Sequence, residues 1–148
     1  TESCSSNNPC SDREICQIEN NSMICKKVPV YQYFSEQKTW HDARDACVAL
    51  GNGYSLAAIT SSMEADMINS LGSIRAWIGA SDLNSEGVWQ WLQGSETNNE
   101  ELVYKKWRTH EPNNAGSGED CAELLSSGWN DQTCSDLLPY ICQYRTGV

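Results

Sequence analysis

The chain has no apolar run of membrane-spanning length and no excess of positive charge. A transmembrane helix needs about 20 consecutive, mostly apolar residues, so we expect a soluble chain without membrane insertion. The formal net charge is −10, whereas nucleic acids and anionic membrane surfaces attract a basic face, which argues against both as partners. No apolar leader follows Thr1, so we expect a mature, processed form.

Zinc-binding spacing is also missing. The chain has two histidines and no Cys-x2-Cys pair among its eight cysteines, which argues against a structural zinc site. Eight cysteines in 148 residues instead indicate disulfides and an oxidising compartment. We therefore expect a secreted, extracellular protein. The sequon at Asn20 fits that location, because it would place Asn20 on an exposed surface.

The chain divides in composition near residue 28, into a cysteine-rich segment of residues 1–28 and a larger domain of residues 29–148. The first segment has almost no apolar content, so disulfides must hold it, and four cysteines allow three pairings. Their spacing resembles the first four cysteines of an EGF-like module, whose last two are missing here. The resemblance implies the pairs Cys4–Cys16 and Cys10–Cys25.

Hydrophobic periodicity in the larger part predicts two helices followed by strands, an α+β domain. The first helix begins at the cap Thr39, ends at Gly51, and turns four residues inward: Trp40, Ala43, Cys47 and Leu50. The second begins at a capping box from Ser61 to Glu64 and turns inward Met63, Met67, Ile68 and Leu71. Strands are predicted at residues 31–34, 76–79, 88–92, 122–125 and 140–144.

Oxygen-bearing side chains cluster within and just after a long irregular stretch between Leu92 and Cys121. The cluster comprises Glu111, Asn113, Glu119, Asn130 and Asp131. Long irregular loops in a compact domain are usually functional. Carboxylate and amide oxygens are what Ca²⁺ prefers, in sets of about six to eight. The sequence therefore predicts a calcium site, and open coordination positions would admit a small polyol.

These residues resemble the mannose-binding branch of the C-type lectin family. The resemblance rests on Glu111-Pro112-Asn113, Glu119-Asp120-Cys121 and Trp129-Asn130-Asp131, with support from Trp77-Ile78-Gly79, and covers roughly residues 30–145. It implies the C-type lectin fold, with two helices, antiparallel sheets and a long calcium-binding loop region. It also implies the disulfides Cys47–Cys142 and Cys121–Cys134 and a cis Glu111–Pro112 bond.

The resemblance implies a function in which the five oxygen-bearing residues hold Ca²⁺ and a sugar together. Vicinal hydroxyls of mannose, N-acetylglucosamine or fucose would coordinate the cation and hydrogen-bond to Glu111, Asn113, Glu119 and Asn130. Some relatives with the same Glu-Pro-Asn order bind galactose by stacking it on an aromatic ring, and Trp107 or Tyr104 offers such a ring here.

A second, auxiliary calcium site is implied at Asp82, Glu86, Asn114 and Asp120, with Glu119 shared between the two sites. Asn114 stands where the family usually has Asp. The alternative reading is that residues 82–86 form a solvated turn.

Two other functional classes are alternatives to a lectin: a protein-binding module and an enzyme. Binding by a protein-binding module on the same fold would persist after calcium is chelated. Such modules commonly lack one of the five calcium ligands, whereas all five are present here. An enzyme would need an activated nucleophile or a water-activating metal, and no such arrangement is visible, so we expect no enzyme.

A single sugar site binds weakly, near millimolar, so useful affinity needs several sites together. No coiled-coil or collagen segment provides them, which predicts a homodimer through a domain face.

Overall fold

The computed structural model describes residues 10, 14–27, 29–92, 100–112 and 118–144. Its first described unit is a hairpin of strands β1 (Glu14–Glu19) and β2 (Ser22–Lys27). The strands join through Asn20 and Asn21, with φ of 52° and 63°, as a two-residue turn with both central residues at positive φ requires. The sequence pattern did not reveal this hairpin.

The disulfide Cys10–Cys25 is present, as predicted, and Cys16 is also disulfide-bonded. Its predicted partner, Cys4, lies outside the described residues. The division into residues 1–28 and 29–148 stays a prediction.

The larger part of the chain contains two helices and seven further strands among the described residues. Its helices are α1 (Trp40–Val48) and α2 (Ser62–Asn69). Its strands are β3 (Val30–Lys38), β4 (Tyr54–Leu56), β5 (Ala76–Ser81), β6 (Gln90–Trp91), β7 (Cys121–Leu125), β8 (Gly128–Gln132) and β9 (Leu138–Tyr144). This is the predicted α+β architecture.

The seven strands form one sheet with the order β3–β9–β5–β7–β8, while β4 pairs with β9 and β6 pairs with β5. The sheet is mixed, because β5 and β9 run parallel where Trp77 meets Tyr140. The other strand pairs of the sheet are antiparallel, as predicted. The predicted strand at residues 88–92 is also shorter than expected, since only Gln90–Trp91 pairs.

Both predicted helix caps are confirmed. The side chain of Thr39 accepts a hydrogen bond from the backbone N–H of Asp42, and that of Ser61 accepts one from Glu64. The predicted inward positions of Leu50 and Leu71 are wrong, with 46% and 40% of their surface exposed. Each lies beyond the last helical residue, where the 3.6-residue period no longer applies.

Two fully buried tryptophans connect α1 and β3 to β5. Trp40 donates its indole N–H to the carbonyl of Ile78 at 2.9 Å, and Trp77 donates to the carbonyl of Lys38 at 2.8 Å. The predicted disulfide Cys47–Cys142 is confirmed and ties α1 to β9. Strands β7 and β8 lie at the other end of the strand order from β3, and four of the predicted site residues lie on them or just before them: Glu119, Asp120, Asn130 and Asp131.

Candidate functional site

Strands β7 and β8 carry most of the described site residues. Glu119 and Asp120 immediately precede β7, and Asn130 and Asp131 lie on β8. The two strands pair antiparallel, so Ala122 faces Asp131 and Glu123 faces Asn130. The predicted disulfide Cys121–Cys134 is confirmed beside this pair. Two sequence segments that are ten residues apart therefore meet on adjacent strands.

A clamp of backbone hydrogen bonds fixes the segment before Glu111 against β8. Trp129 donates its backbone N–H to the carbonyl of Lys106 at 2.8 Å and accepts one from Arg108 at 2.8 Å. Gly128 makes this approach possible, because a Cβ there would lie 2.7 Å from the carbonyl oxygen of Lys106. The Lys106–Arg108 segment therefore needs glycine at this position.

These hydrogen bonds bring Glu111 close to Asp131, the acidic residue of β8. The backbone N–H of Glu111 donates to Arg108 at 3.0 Å, and the predicted cis Glu111–Pro112 bond is confirmed. Burial raises the pKa of Glu111, and the adjacent Asp131 carboxyl raises it further; Glu119 adds to the effect and Arg108 opposes it. Glu111, Glu119 and Asp131 thus share one acidic neighbourhood.

The other predicted ligands of the principal calcium site lie on β8 or outside the described residues. Asn130 is half-buried on β8, next to Asp131, which is 1% exposed. Asn113 lies outside the described residues. Among the described acids of this set, the carboxylates do not converge as tightly as those of the auxiliary set. The coordinating roles of all five residues stay predictions.

The auxiliary set forms a tight group of carboxylates. One oxygen each from Asp82, Glu86 and Asp120 lies within 4.8 Å of the others. Backbone contacts hold the group together, since Asp82 donates its N–H to the carbonyl of Asp120 at 3.1 Å and Ser81 donates its hydroxyl to the same carbonyl at 2.6 Å. Asn114, the fourth predicted member, lies outside the described residues.

Two buried oxygens in this group fit a bound cation. The Oδ1 atoms of Asp82 and Asp120 are buried and accept no hydrogen bond within the described part of the chain. Buried acceptors normally have partners. A Ca²⁺ ion binds oxygens at 2.3–2.6 Å, so oxygens within 4.8 Å of one another can share one ion. The donor set therefore suits calcium, which would supply the missing partner.

The same crowding shifts the acidity of the group. Burial raises the pKa of Asp82, and the nearby Glu86 raises it further, while the backbone N–H of Gly87 opposes this. Burial also raises the pKa of Asp120, with Asp82 as the next cause. Each shift has the sign expected for like charges without a counterion.

The two aromatic candidates pack into the core rather than standing free. Trp107 meets Trp89 and Trp129 edge to face, at ring-centroid distances of 4.8 and 5.8 Å, and Tyr104 meets Trp129 at 6.1 Å. Both rings are half-buried. A sugar-stacking role for either residue stays a prediction, and the packing favours a structural role.

One buried charge beside the site was missed in the sequence. Glu123 is 2% exposed and accepts hydrogen bonds from Arg75 and from the side chain of Asn130. Only the pairing of β7 with β8 brings Glu123 to Asn130, and β8 was not among the predicted strands. The acidic residue in the apolar run of β7 was the available signal.

Comparison with known proteins decides the family. The family model described as the lectin C-type domain matches residues 36–144. The chain belongs to the C-type lectin family. It matches C-type lectin carbohydrate-recognition domains, and the lectin family homologues are non-enzymatic. C-type lectin domains generally bind Ca²⁺, which agrees with the acidic group described above.

Curated relatives include C-type lectin domain family 4 member M from Hylobates lar, 40% identical over 119 residues. Human CD209 antigen is 40% identical over 117 residues. These alignments cover 78% and 76% of the chain, but only 29% and 28% of the relatives.

The prediction of a secreted protein is wrong. These relatives are type II membrane proteins in which the lectin domain makes up a minor part of the length. In the part of the chain that the structure describes, no helix is long and apolar enough to cross a membrane.

Solved structures agree on the fold. The cow CD23 carbohydrate-recognition domain, crystallised in the presence of GlcNAc2Man3 oligosaccharide, gives a TM-score of 0.71 at 31% identity, covering 94% of this chain and 98% of that domain. The Kupffer cell receptor Clec4f, described as trimeric, gives 0.67 at 29% identity, covering 81% of this chain and 80% of that one. None of this supports the predicted homodimer.

Proposed function

We propose that this domain is a calcium-dependent lectin for terminal mannose-type sugars: mannose, N-acetylglucosamine and fucose. In this proposal Ca²⁺ is held by Glu111, Asn113, Glu119, Asn130 and Asp131. Two vicinal hydroxyls of the sugar complete the coordination shell. The proposed auxiliary ion at Asp82, Glu86, Asn114 and Asp120 stabilises the loops without touching the sugar.

The observation that carries the proposal is the meeting of Glu111 with Asp131. The backbone hydrogen bonds between Trp129 and the Lys106–Arg108 segment, together with the one from Glu111 to Arg108, support a position of Glu111 close to β8. Burial raises the pKa of Glu111, and the neighbouring Asp131 carboxyl raises it further. Such an acidic pair is stabilised by a cation. The oligosaccharide present with the cow CD23 domain, which has the same fold, supports a mannose-containing ligand.

The chemistry of selection follows from the donor types. A Glu carboxylate accepts a hydrogen bond from a sugar hydroxyl, and an Asn amide donates one while its oxygen coordinates the cation. Each hydroxyl therefore gives a lone pair to Ca²⁺, donates to a carboxylate and accepts from an amide. The order of acceptor at 111 and donor at 113 fixes which pair of hydroxyls fits.

The test is retention on mannose and galactose columns in calcium, followed by a chelator. We expect retention on mannose and release by the chelator. Asp66→Asn is the matched control, because it removes one exposed carboxylate on α2 outside both calcium-ligand sets. Retention on galactose alone would overturn the mannose assignment, and failure on both columns with calcium bound would overturn the sugar site.

A double substitution tests the roles of the ligands directly. Glu111→Gln with Asn113→Asp reverses the order of donor and acceptor while keeping two side-chain oxygens for the cation. We expect the variant to shift toward galactose and to keep its calcium. Unchanged binding to mannose would refute the roles given to these two residues.

A further inference from the structure

A row of three polar side chains crosses the sheet beside the proposed sugar site. Arg75 precedes β5, Glu123 lies on β7, and Asn130 lies directly opposite Glu123 on β8. Arg75 donates its Nε–H to Oε2 of Glu123 at 2.8 Å, and Asn130 donates its Nδ2–H to Oε1 at 3.1 Å. Side chains directly opposite on antiparallel strands share one face of the sheet. The register therefore fixes the contact.

Burial makes this contact costly to lose. Only 2% of the Glu123 side chain is exposed, whereas its partner Arg75 is 52% exposed. A buried carboxylate is destabilising unless it is paired and hydrogen-bonded. Arg75 provides the opposite charge and Asn130 provides a further donor, so the buried carboxylate is satisfied on both of its oxygens.

The chemistry of Glu123 decides which way the amide of Asn130 turns. A carboxylate paired with arginine offers only acceptors, so the group of Asn130 that faces it must be the NH2. Because the amide is planar, its oxygen then points away from Glu123. One amide hydrogen is used by Glu123, and the second remains for another acceptor.

We propose that Glu123, held by Arg75, is a positioning residue that fixes the amide of Asn130 with its oxygen toward the calcium ion. This rests on the calcium site of the proposed function but not on the identity of the sugar. Partners outside the ligand shell orient metal ligands, and their loss costs about 10–100-fold in metal affinity. Without Glu123 the amide of Asn130 can turn its NH2 group toward the cation, and an amide NH2 group cannot coordinate calcium.

The first experiment follows the side-chain amide of Asn130 itself by NMR. In metal-free protein its NH2 resonances should carry the signature of a hydrogen bond to a carboxylate, and Glu123→Gln should shift them while the backbone amides of β7 and β8 keep their positions. Wild-type resonances typical of a solvent-exposed amide, or a wholesale loss of the backbone pattern in Glu123→Gln, would overturn the positioning role.

The second experiment titrates calcium while the same resonances are followed, so that the affinity belongs to this site. We expect Glu123→Gln to bind calcium about tenfold more weakly. Glu64→Gln is the matched control, because Glu64 is also buried, at 7% exposed, and accepts hydrogen bonds from Thr60 at the start of α2. Affinity within twofold of wild type in Glu123→Gln, or an equal loss in Glu64→Gln, would overturn the proposal.

Conservative replacement of Arg75 separates charge from packing. Arg75→Lys keeps a cation near Glu123 and should retain most of the calcium affinity, whereas Arg75→Gln should approach Glu123→Gln. Equal affinity in both Arg75 variants would overturn the part assigned to Arg75. A wild-type domain that binds calcium but no mannose would refute the sugar assignment alone and leave the positioning of Asn130 intact.

Discussion

Replacing Gly128 by alanine tests whether the backbone clamp builds the site. A Cβ at this position would lie 2.7 Å from the carbonyl oxygen of Lys106 and 3.0 Å from the backbone N of Arg108. The first distance falls about 0.7 Å short of the 3.4 Å at which ordinary contact begins. The Lys106–Arg108 segment must therefore move away from β8, because the atoms that the Cβ would meet belong to its backbone.

The cost has two parts. Gly128 has a φ of +128°, and holding alanine in such a sparsely populated region costs about 1–3 kcal/mol. The displacement also strains the two 2.8 Å hydrogen bonds between Trp129 and the segment, each contributing about 1 kcal/mol. The free energy of unfolding should fall by roughly 3–5 kcal/mol.

Gly72→Ala is the matched control. Gly72 has a similar φ of +116°, but a Cβ there meets nothing within 4 Å. This variant carries the backbone strain without the collision, so Gly128→Ala should be about 2 kcal/mol less stable in urea. Only Gly128→Ala should lose calcium affinity, by about tenfold or more, because only it displaces the segment leading to Glu111.

Two results would refute this reasoning. If both variants lost the same stability, the contact between Gly128 and the segment would not be tight. If Gly128→Ala kept its calcium affinity, the clamp would not determine where Glu111 lies.

Four further predictions concern charge and cross-linking. Because the pKa values of Asp82, Asp120 and Glu111 are raised in the folded protein, metal-free stability in urea should fall as pH rises through those values and increase as pH drops toward about 4. Calcium affinity should weaken over the same interval as protons compete, and calorimetry showing constant affinity between about pH 7 and 5 would contradict this. Asp120→Asn removes one of the crowded charges, so the metal-free domain should become more stable while the calcium stoichiometry drops by one; lower metal-free stability would contradict it. Replacing Cys47 and Cys142 by alanine opens a link across a sequence separation of 95 and should cost about 4–5 kcal/mol in urea, and a loss under about 1 kcal/mol would contradict the chain-entropy estimate.

Local signals explain which parts of the fold could be predicted. Thr39 and Ser61 cap helices through contacts three residues away, and such contacts are visible in sequence. Leu50 and Leu71 were misplaced because the helices end before them, and periodicity alone does not mark the last turn. Strand β8 was missed because its residues Gly128–Gln132 are mostly polar.

The residues of the candidate site also fall into two groups, those that local sequence motifs reveal and those that only strand pairing reveals. Glu111, Asn130 and Asp131 could be identified because short motifs carry them. The contacts of Glu123 depend on register instead, since Arg75 lies 48 residues away in the sequence. No local pattern encodes which residue of one strand faces which residue of another, so the orientation of Asn130 required the structure.

Trp129 sits at the centre of a cluster of aromatic rings whose members come from different parts of the chain. Trp91 approaches it edge-on from the sheet at 5.5 Å, and Trp107 and Tyr104 approach from the irregular segment at 5.8 and 6.1 Å. Rings this close couple their electronic transitions and give paired circular dichroism bands of opposite sign. The coupling with Trp107 and Tyr104 exists only while the segment is docked on β8. The circular dichroism of the unlabelled domain should therefore report whether the segment leading to Glu111 is docked on β8.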